Sequence, residues 1–411
     1  MMGLDGSKAG VQCGSARSRV ACILTMKHYI IGTSTPFSIK RLANNSGLVQ
    51  PILLAIAAGT PLTDAQWQLL WAEEGGERRR ALAWGDVPAQ GPGRLAARAQ
   101  WLQQVYPDFV AWCDRRLGHP AEFLGPLWSV WLPLAERLVQ LRQTVQRPIV
   151  QGILGGQGTG KTTLGEILTL LLRHRGYSTL SLSLDDLYKT YGDRQVLQTQ
   201  EPRLIWRGPP GTHDVALGVQ VLDQLRHPQP GHAIAIPRFD KSLHQGQGDR
   251  TTADWVADID IVLFEGWFVG VCPVPPQTFD QPPPPIVTEG DRAFALAMNQ
   301  RLHAYLPLWE RLDALWILHV TDYRLSKEWR KQAEREMQAR GKPGMTDEQI
   351  DAFVDYFWQA LHPALFIPPL LAQADLVIEV CPNHALGAVY AGLGWLGRHG
   401  DDQPGQIVPE F

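Results

Sequence analysis

The sequence predicts an α/β fold, a parallel sheet with helices on both faces, preceded by a helical N-terminal region. Three observations predict it. From residue 146 to about 396, short apolar runs alternate with amphipathic stretches, the pattern of parallel strands joined by crossover helices. One such run, Pro148 to Leu154, leads straight into a glycine-rich turn and then a helix. Upstream, residues 49 to 145 carry helical spacing throughout.

Composition narrows the class. The 411 residues are 45% hydrophobic and 19% charged, the balance of a soluble globular chain. A net charge of −3 points neither to nucleic acid nor to an anionic membrane as partner. No apolar run approaches the roughly 18 residues that a membrane-spanning helix needs. Cys13, Cys22, Cys113, Cys272 and Cys381 are scattered and form no C-x-x-C pair. That argues against a disulfide framework or a zinc site and fits a reducing, cytoplasmic setting. The fifteen tryptophans are expected mainly in the core or in a cleft.

Residues 1–48 differ from the rest. Lys8, Arg17, Arg19, Lys27, Lys40 and Arg41 face one acid, Asp5. Two readings stand. The segment is a disordered leader, with Met26 as an alternative first residue, or it is a transit peptide that directs the chain to a plastid. In residues 49–145, Pro61 to Gln66 is a helix start with Trp67, Leu70 and Trp71 behind it. Trp101, Val105, Phe109 and Trp112 mark a second helix. Leu132, Leu134, Leu138 and Leu141 mark a third, and Gly91-Pro92-Gly93 is a break.

The domain over 146–396 begins with the Pro148–Leu154 strand. Next comes a helix to Arg173 with Leu164, Ile167, Leu168, Leu171 and Leu172 on one face. Ser178–Leu184 is the second strand and Val215–Leu225 a helix. Ala233–Ile236 is a short strand ending at Pro237, and Ile259–Phe264 a strongly apolar one. Residues 273–285 are proline-rich and expected as an exposed loop. A helix from Arg292, a strand Leu315–Val320, a charged helix Ser326–Arg340 and a helix capped at Thr346 follow. Leu376–Val380 is expected as the final strand, and residues 397–411 as a loose tail.

The chemistry starts at Gly155-Gly156-Gln157-Gly158-Thr159-Gly160-Lys161-Thr162, with Thr163 behind it. This is G-x-x-x-x-G-K-[ST] between a strand and a helix, the P-loop NTPase context. The glycines let backbone N–H groups converge on phosphate oxygens, and the helix N-terminus adds positive partial charge. Lys161 is expected at the β- and γ-phosphates of ATP, and the Thr162 hydroxyl at Mg²⁺. Ligands in such sheets sit at the carboxyl ends of strands. Asp185-Asp186, Glu265 and Asp322 all fall there. Of the acidic pair, Asp185 is expected as the base that takes the acceptor's proton, and Asp186 as a helix cap. Glu265 has the place of a Walker B acid, with a hydrogen bond to the loop as the structural alternative. His213 and Asp214 precede a helix, with capping of that helix as the structural alternative to a site role. Arg238, Lys241 and Arg250 bring cations toward the acceptor, suiting a substrate with a carboxylate. Arg324 and Arg330 are expected to reach nucleotide phosphates as part of a lid, with Lys327 on a solvated face.

Together these residues resemble D-glycerate 3-kinases of the plant and cyanobacterial type, within the phosphoribulokinase/uridine kinase group. The resemblance rests on the loop, Ser183-Leu184-Asp185-Asp186-Leu187-Tyr188, Trp206-Arg207-Gly208, Gly211-Thr212-His213-Asp214, Pro237-Arg238-Phe239-Asp240-Lys241-Ser242, Gly248-Asp249-Arg250, Phe264-Glu265-Gly266-Trp267 and Glu328-Trp329-Arg330. It covers roughly residues 148 to 385. It implies Mg²⁺- and ATP-dependent phosphorylation of the 3-hydroxyl of D-glycerate, the closing step of photorespiration in photosynthetic organisms. It also implies that Asp185 is the catalytic base, and Lys161, Glu265 and Arg330 are expected to act in catalysis with it. The acceptor site is expected to draw on Asp186, Tyr188, Arg207, His213, Asp214, Arg238, Asp240, Lys241 and Arg250. Two alternatives remain at this level. One is a kinase of the same group acting on a nucleoside, pantothenate or a sugar phosphate. The other is a P-loop ATPase or GTPase switch, which the lack of an Asn-Lys-x-Asp motif disfavours.

Overall fold

The computed structural model describes residues 39–76, 78–84, 91–339, 341 and 344–392. The expected leader up to residue 38 and the expected tail over 397–411 lie outside the described residues. The N-terminal region is helical: α1 (Ile39–Ala57), α2 (Asp64–Gly76), α3 (Arg78–Ala83), α4 (Gly91–Arg116), the single turn α5 (Leu124–Pro126) and α6 (Leu132–Val145). Residues 39–48, assigned above to the leader, begin α1. Thr63 and Gln66 cap α2 reciprocally, with Thr63 N–H donating to Gln66 Oε1 at 2.9 Å and Gln66 N–H to Thr63 Oγ1 at 3.4 Å. Gly91 to Gly93, expected as a break, open α4 instead.

The second part runs β1 (Ile149–Gly155), α7 (Lys161–Arg173), β2 (Thr179–Ser183), α8 (Tyr191–Gln200), α9 (Val215–Arg226), β3 (Ile234–Asp240), β4 (Asp249–Val256), β5 (Ile261–Gly266), α10 (Glu289–Arg301), α11 (Leu306–Trp309), β6 (Ala314–His319), α12 (Leu325–Ala339), α13 (Asp347–Ala360), α14 (Pro363–Leu371), β7 (Leu376–Val380) and β8 (Leu386–Tyr390). The main sheet has the order β2-β5-β1-β6-β7-β8. Its strands are parallel except β8, which pairs antiparallel with β7.

Period-two alternation puts each strand's apolar residues on both faces. Ile149, Ile153, Ile261, Leu263 and Trp316 face a core shared with α7 and the N-terminal helices. Val150, Leu154, Val262, Phe264 and Ile317 face a second core built with α9, α10, α13 and α14. The N-terminal helices therefore cover one face of the sheet. They also grip α7: Arg116 and Trp112 both donate to Glu166 Oε2 at 3.0 Å, and Arg175 lies 4.2 Å over the Trp101 ring.

Three further expectations are corrected. The strand ending at Pro237 continues to Asp240 and pairs antiparallel with β4 as a hairpin outside the main sheet. Pro237 lacks an N–H and sits at the register shift between Ile236 and Arg238, where the ladder does not need one. The proline-rich stretch is not simply an exposed loop. Phe279 is buried, and Val274 exchanges two hydrogen bonds with the buried Asn299 side chain, at 2.9 and 2.8 Å. Leu376–Val380 is not the last strand, because β8 follows it. The helix α8 gives no apolar stripe to read, being mostly polar. Its N-cap Thr190 accepts from Asp193 N–H at 3.2 Å.

Candidate active site

The parallel register brings Ile153, Ser183 and Glu265 to one level at the carboxyl edge of β1, β2 and β5. The glycine loop leaves this edge and ends at α7. Gly158 (φ 78°) and Gly160 (φ 86°) are left-handed, which L side chains adopt at a cost. A Cβ on Gly155 would lie 2.5 Å from Thr159 Oγ1, and one on Gly158 would lie 3.0 Å from Trp329 Cβ. Gly160 caps α7 without a side-chain hydrogen bond, so this helix end presents backbone N–H groups and positive partial charge. The Gly156 carbonyl accepts from Thr159 Oγ1 at 2.9 Å and from Lys161 Nζ at 3.0 Å. Thr162 is exposed on the first turn and Thr163 half-buried. These features fit a bound polyphosphate: a loop that only glycine can trace, an uncapped helix end and a lysine folded onto the loop.

From Lys161 the charged groups run in a line. Its Nζ lies 4.0 Å from Glu265 Oε2. Burial pulls the Lys161 ammonium below its ordinary pKa, against the pull of Glu265 and Asp185. Glu265 is held above the usual carboxylate range by burial, which outweighs Lys161 and a hydrogen bond from Ser183. Ser183 Oγ also accepts from Asp185 N–H at 3.2 Å. Lys241 Nζ closes the line, 2.5 Å from Asp185 Oδ2. Burial pushes Asp185 upward, but Lys241 and the Tyr188 hydroxyl together hold it below its ordinary value.

The two acids of the pair part company because they lie in a 3₁₀ turn, Leu184–Leu187, rather than in the strand. Asp186 turns back, accepting from Ser183 N–H at 3.0 Å and pairing with Arg238 at 3.0 Å. Burial nevertheless raises its pKa. Asp185 turns toward Lys241.

Of the other residues expected at the acceptor site, several are occupied elsewhere. Arg238 also binds Asp254 at 2.7 Å and the Ser181 carbonyl at 3.2 Å, so it braces the β3–β4 hairpin against the main sheet. Arg250 donates to the Tyr188 carbonyl and to Asp214, both at 2.9 Å. Asp214 caps α9 through Leu217 N–H at 3.1 Å. Asp240 accepts from the Ser242 backbone and hydroxyl at 2.8 and 2.6 Å, which makes it a turn residue. Of the three expected cations only Lys241 reaches Asp185. Arg207 donates to the Gly246 carbonyl at 2.6 Å and lies over the rings of Tyr188 and Phe239. Tyr188 is buried, bonded to Asp185 and stacked on His213 at 4.5 Å.

His213 is 2% exposed, and burial pushes it down to about 3, so it is neutral. Its Nδ1 lies 2.8 Å from Tyr305 Oη, which already accepts from Gly211 N–H at 2.8 Å.

On the presumed lid, Arg324 is 72% exposed beside Asp322, at 3.5 Å. Arg330 pairs with Glu334 at 2.8 Å. Lys327, expected on a solvated face, is tucked between α12 and α13, 2.8 Å from Asp355 and 4.9 Å over Trp358.

Sequence reasoning gave no site role to Ser183, Tyr305, Trp329 or His384. Ser183 carried a signal, since it opens the turn that holds both acids. Trp329 packs on Gly158, and the His384 ring lies 3.2 Å from the Gly158 carbonyl. Tyr305 and His384 meet His213 and Gly158 across more than ninety and two hundred residues, and nothing local marks those partnerships.

No protein-family model matches the chain. It is 31% identical over 235 residues to the chloroplastic D-glycerate 3-kinase of Arabidopsis thaliana, covering 55% of this chain and 49% of that one. The chain thus spans about half the length of the plant relative. It is 32% identical over 219 residues to an uncharacterized kinase of Schizosaccharomyces pombe, covering 51% of this chain and 79% of that one. Among solved structures, a D-glycerate 3-kinase from Cryptococcus neoformans var. grubii aligns with a TM-score of 0.58 at 27% identity, over 64% of this chain and 98% of that one.

Proposed function

The chain belongs to the P-loop kinase family of these relatives, and from that premise we propose that it phosphorylates the 3-hydroxyl of D-glycerate, giving 3-phosphoglycerate. The observation that carries the proposal is the line Lys161, Glu265, Asp185, Lys241. It joins a phosphate-binding loop to a carboxylate that sits beside an exposed ammonium. Mg²⁺-bound ATP supplies the phosphoryl group and neutralises its developing charge.

The loop N–H groups and Lys161 hold the phosphate oxygens, and Thr162 and Glu265 would hold Mg²⁺. Asp185 orients the acceptor hydroxyl and takes its proton as the oxygen attacks phosphorus. Lys241 ties up Asp185 until a carboxylate-bearing acceptor arrives. The substrate's carboxylate competes for the Lys241 ammonium, and Asp185 regains basicity as that partner leaves. An acceptor without a carboxylate leaves the ion pair in place, so the arrangement selects for an acid. The naming of two relatives as D-glycerate 3-kinases supports the same acceptor.

The test is ADP release measured with D-glycerate, uridine, pantothenate, ribulose 5-phosphate or no acceptor. Release that requires D-glycerate, with the product identified as the 3-phosphate by phosphorus NMR, is the expected result. Release independent of acceptor, or greater with another acceptor, overturns the proposal.

A further inference from the structure

A cavity of about 360 Å³ lies between the phosphate loop, the carboxyl end of β6 and the helices α13 and α14. That volume is in the range of small-molecule sites. Its described lining residues include no Asp, Glu, Lys or Arg. A phosphate or carboxylate would be stranded there, so neither the triphosphate nor a hydroxy acid matches it. Trp267, Tyr323, Phe357 and Trp358 contribute aromatic rings to walls that are otherwise mostly aliphatic.

Two wall residues carry a buried ring nitrogen with no hydrogen-bond partner among the described residues, Trp267 Nε1 and His319 Nδ1. Native interiors leave few polar atoms unpaired, and each needs a partner or a reason. Burial lowers the pKa of the His319 imidazole. Gly156, Gln157 and Thr159 of the phosphate loop form a further part of the wall.

We propose that this cavity is an effector site, separate from the nucleotide, for an uncharged planar aromatic molecule carrying a hydrogen-bond donor and an acceptor. The apolar walls with their aromatic rings match a flat apolar ring, and the two unpaired nitrogens match its polar edge. Because loop residues form part of the wall, an occupant stiffens the phosphate loop and changes the apparent KM for ATP.

Indazole is the probe: flat, neutral, with one N–H and one acceptor nitrogen. It is titrated into the full chain by ligand-observed NMR, with and without saturating Mg²⁺-ATP. The same titration is run on Ala364→Trp and Val354→Phe, which fill the cavity from α14 and α13. Expected are saturable binding to the wild type that survives Mg²⁺-ATP, loss of binding in whichever filled variant melts like the wild type, and a KM shift for ATP only where indazole binds. His319→Phe keeps the ring and deletes the nitrogen, so it should weaken indazole several-fold and leave naphthalene unchanged. No saturable binding, displacement by Mg²⁺-ATP, or undiminished binding in a folded filled variant overturns the proposal. Displacement would assign the cavity to the nucleotide's own base.

Discussion

At the scale of the residue, Asp185 and Asp186 show how one turn gives adjacent carboxylates opposite work. Asp186 holds Ser183 N–H and Arg238, so its charge is spent on the join between the turn and the β3–β4 hairpin. Asp185 holds Lys241, whose side chain is 60% exposed and so able to exchange partners. Asp185→Asn should lower turnover by about 10² to 10⁴-fold, the usual cost of a lost general base, with ATP affinity and melting temperature retained. Asp186→Asn should cost about 1–2 kcal/mol of stability through the lost cap and ion pair, with turnover within a few-fold of wild type. Turnover and thermal unfolding of both variants decide it. A dead Asp186→Asn beside an active Asp185→Asn reverses the assignment.

At the scale of the element, Arg324, just before α12, and Lys327 and Arg330, within it, look equivalent in sequence and are not. Lys327 staples α12 to α13 through Asp355 and the Trp358 face. Arg330 is engaged with Glu334 on its own helix, and Glu334 also accepts from Met345 N–H at 2.8 Å. Arg324 extends into solvent beyond the end of β6. A planar guanidinium that is free to move can bridge phosphate oxygens as they gain charge. Arg324→Ala should therefore reduce turnover about tenfold or more without shifting the melting temperature. Lys327→Ala should destabilise by about 1 kcal/mol with turnover nearly unchanged. Small equal losses in both variants would remove α12 from the reaction.

At the scale of the whole molecule, two buried neutral histidines set the acid limit of stability. His213 is pushed down to about 3, and His362 to about 4, in each case mainly by burial. His362 has both ring nitrogens engaged, Nδ1 accepting from Ala364 N–H at 3.1 Å and Nε2 donating to the Pro284 carbonyl at 3.0 Å. The unfolded chain protonates each ring near the ordinary value of 6.5, whereas the folded chain does not until pH 3–4. Stability is thus fully present above pH 6.5. It falls as pH drops toward 4, by up to about 1.4 kcal/mol per pH unit for each histidine. Unfolding free energies at pH 7 and pH 5 should differ less for His362→Gln than for the wild type. Parallel losses in the two proteins would remove His362 from the acid response.

What the sequence by itself determined was local. The run Ile149–Leu154, the glycine loop and the apolar face of α7 are contiguous, and each rests on a short-range rule: strand alternation, positive φ at glycine, helical spacing. They were legible for that reason, as was the capped start at Thr346. The kinase group was legible too, because its characteristic segments sit close to strand ends. The tertiary structure decided which of the flagged side chains meet. Arg238, Lys241 and Arg250 are equivalent cations in sequence, yet the antiparallel pairing of β3 with β4 aims one at Asp185 and ties the other two to Asp186, Asp254, Asp214 and the Tyr188 carbonyl. Tyr305 reaches His213 across more than ninety residues, and the N-terminal helices reach Glu166 from α4. Partnership across such distances depends on which elements become neighbours. That is set by the burial of both sheet faces together, and no window of sequence contains it.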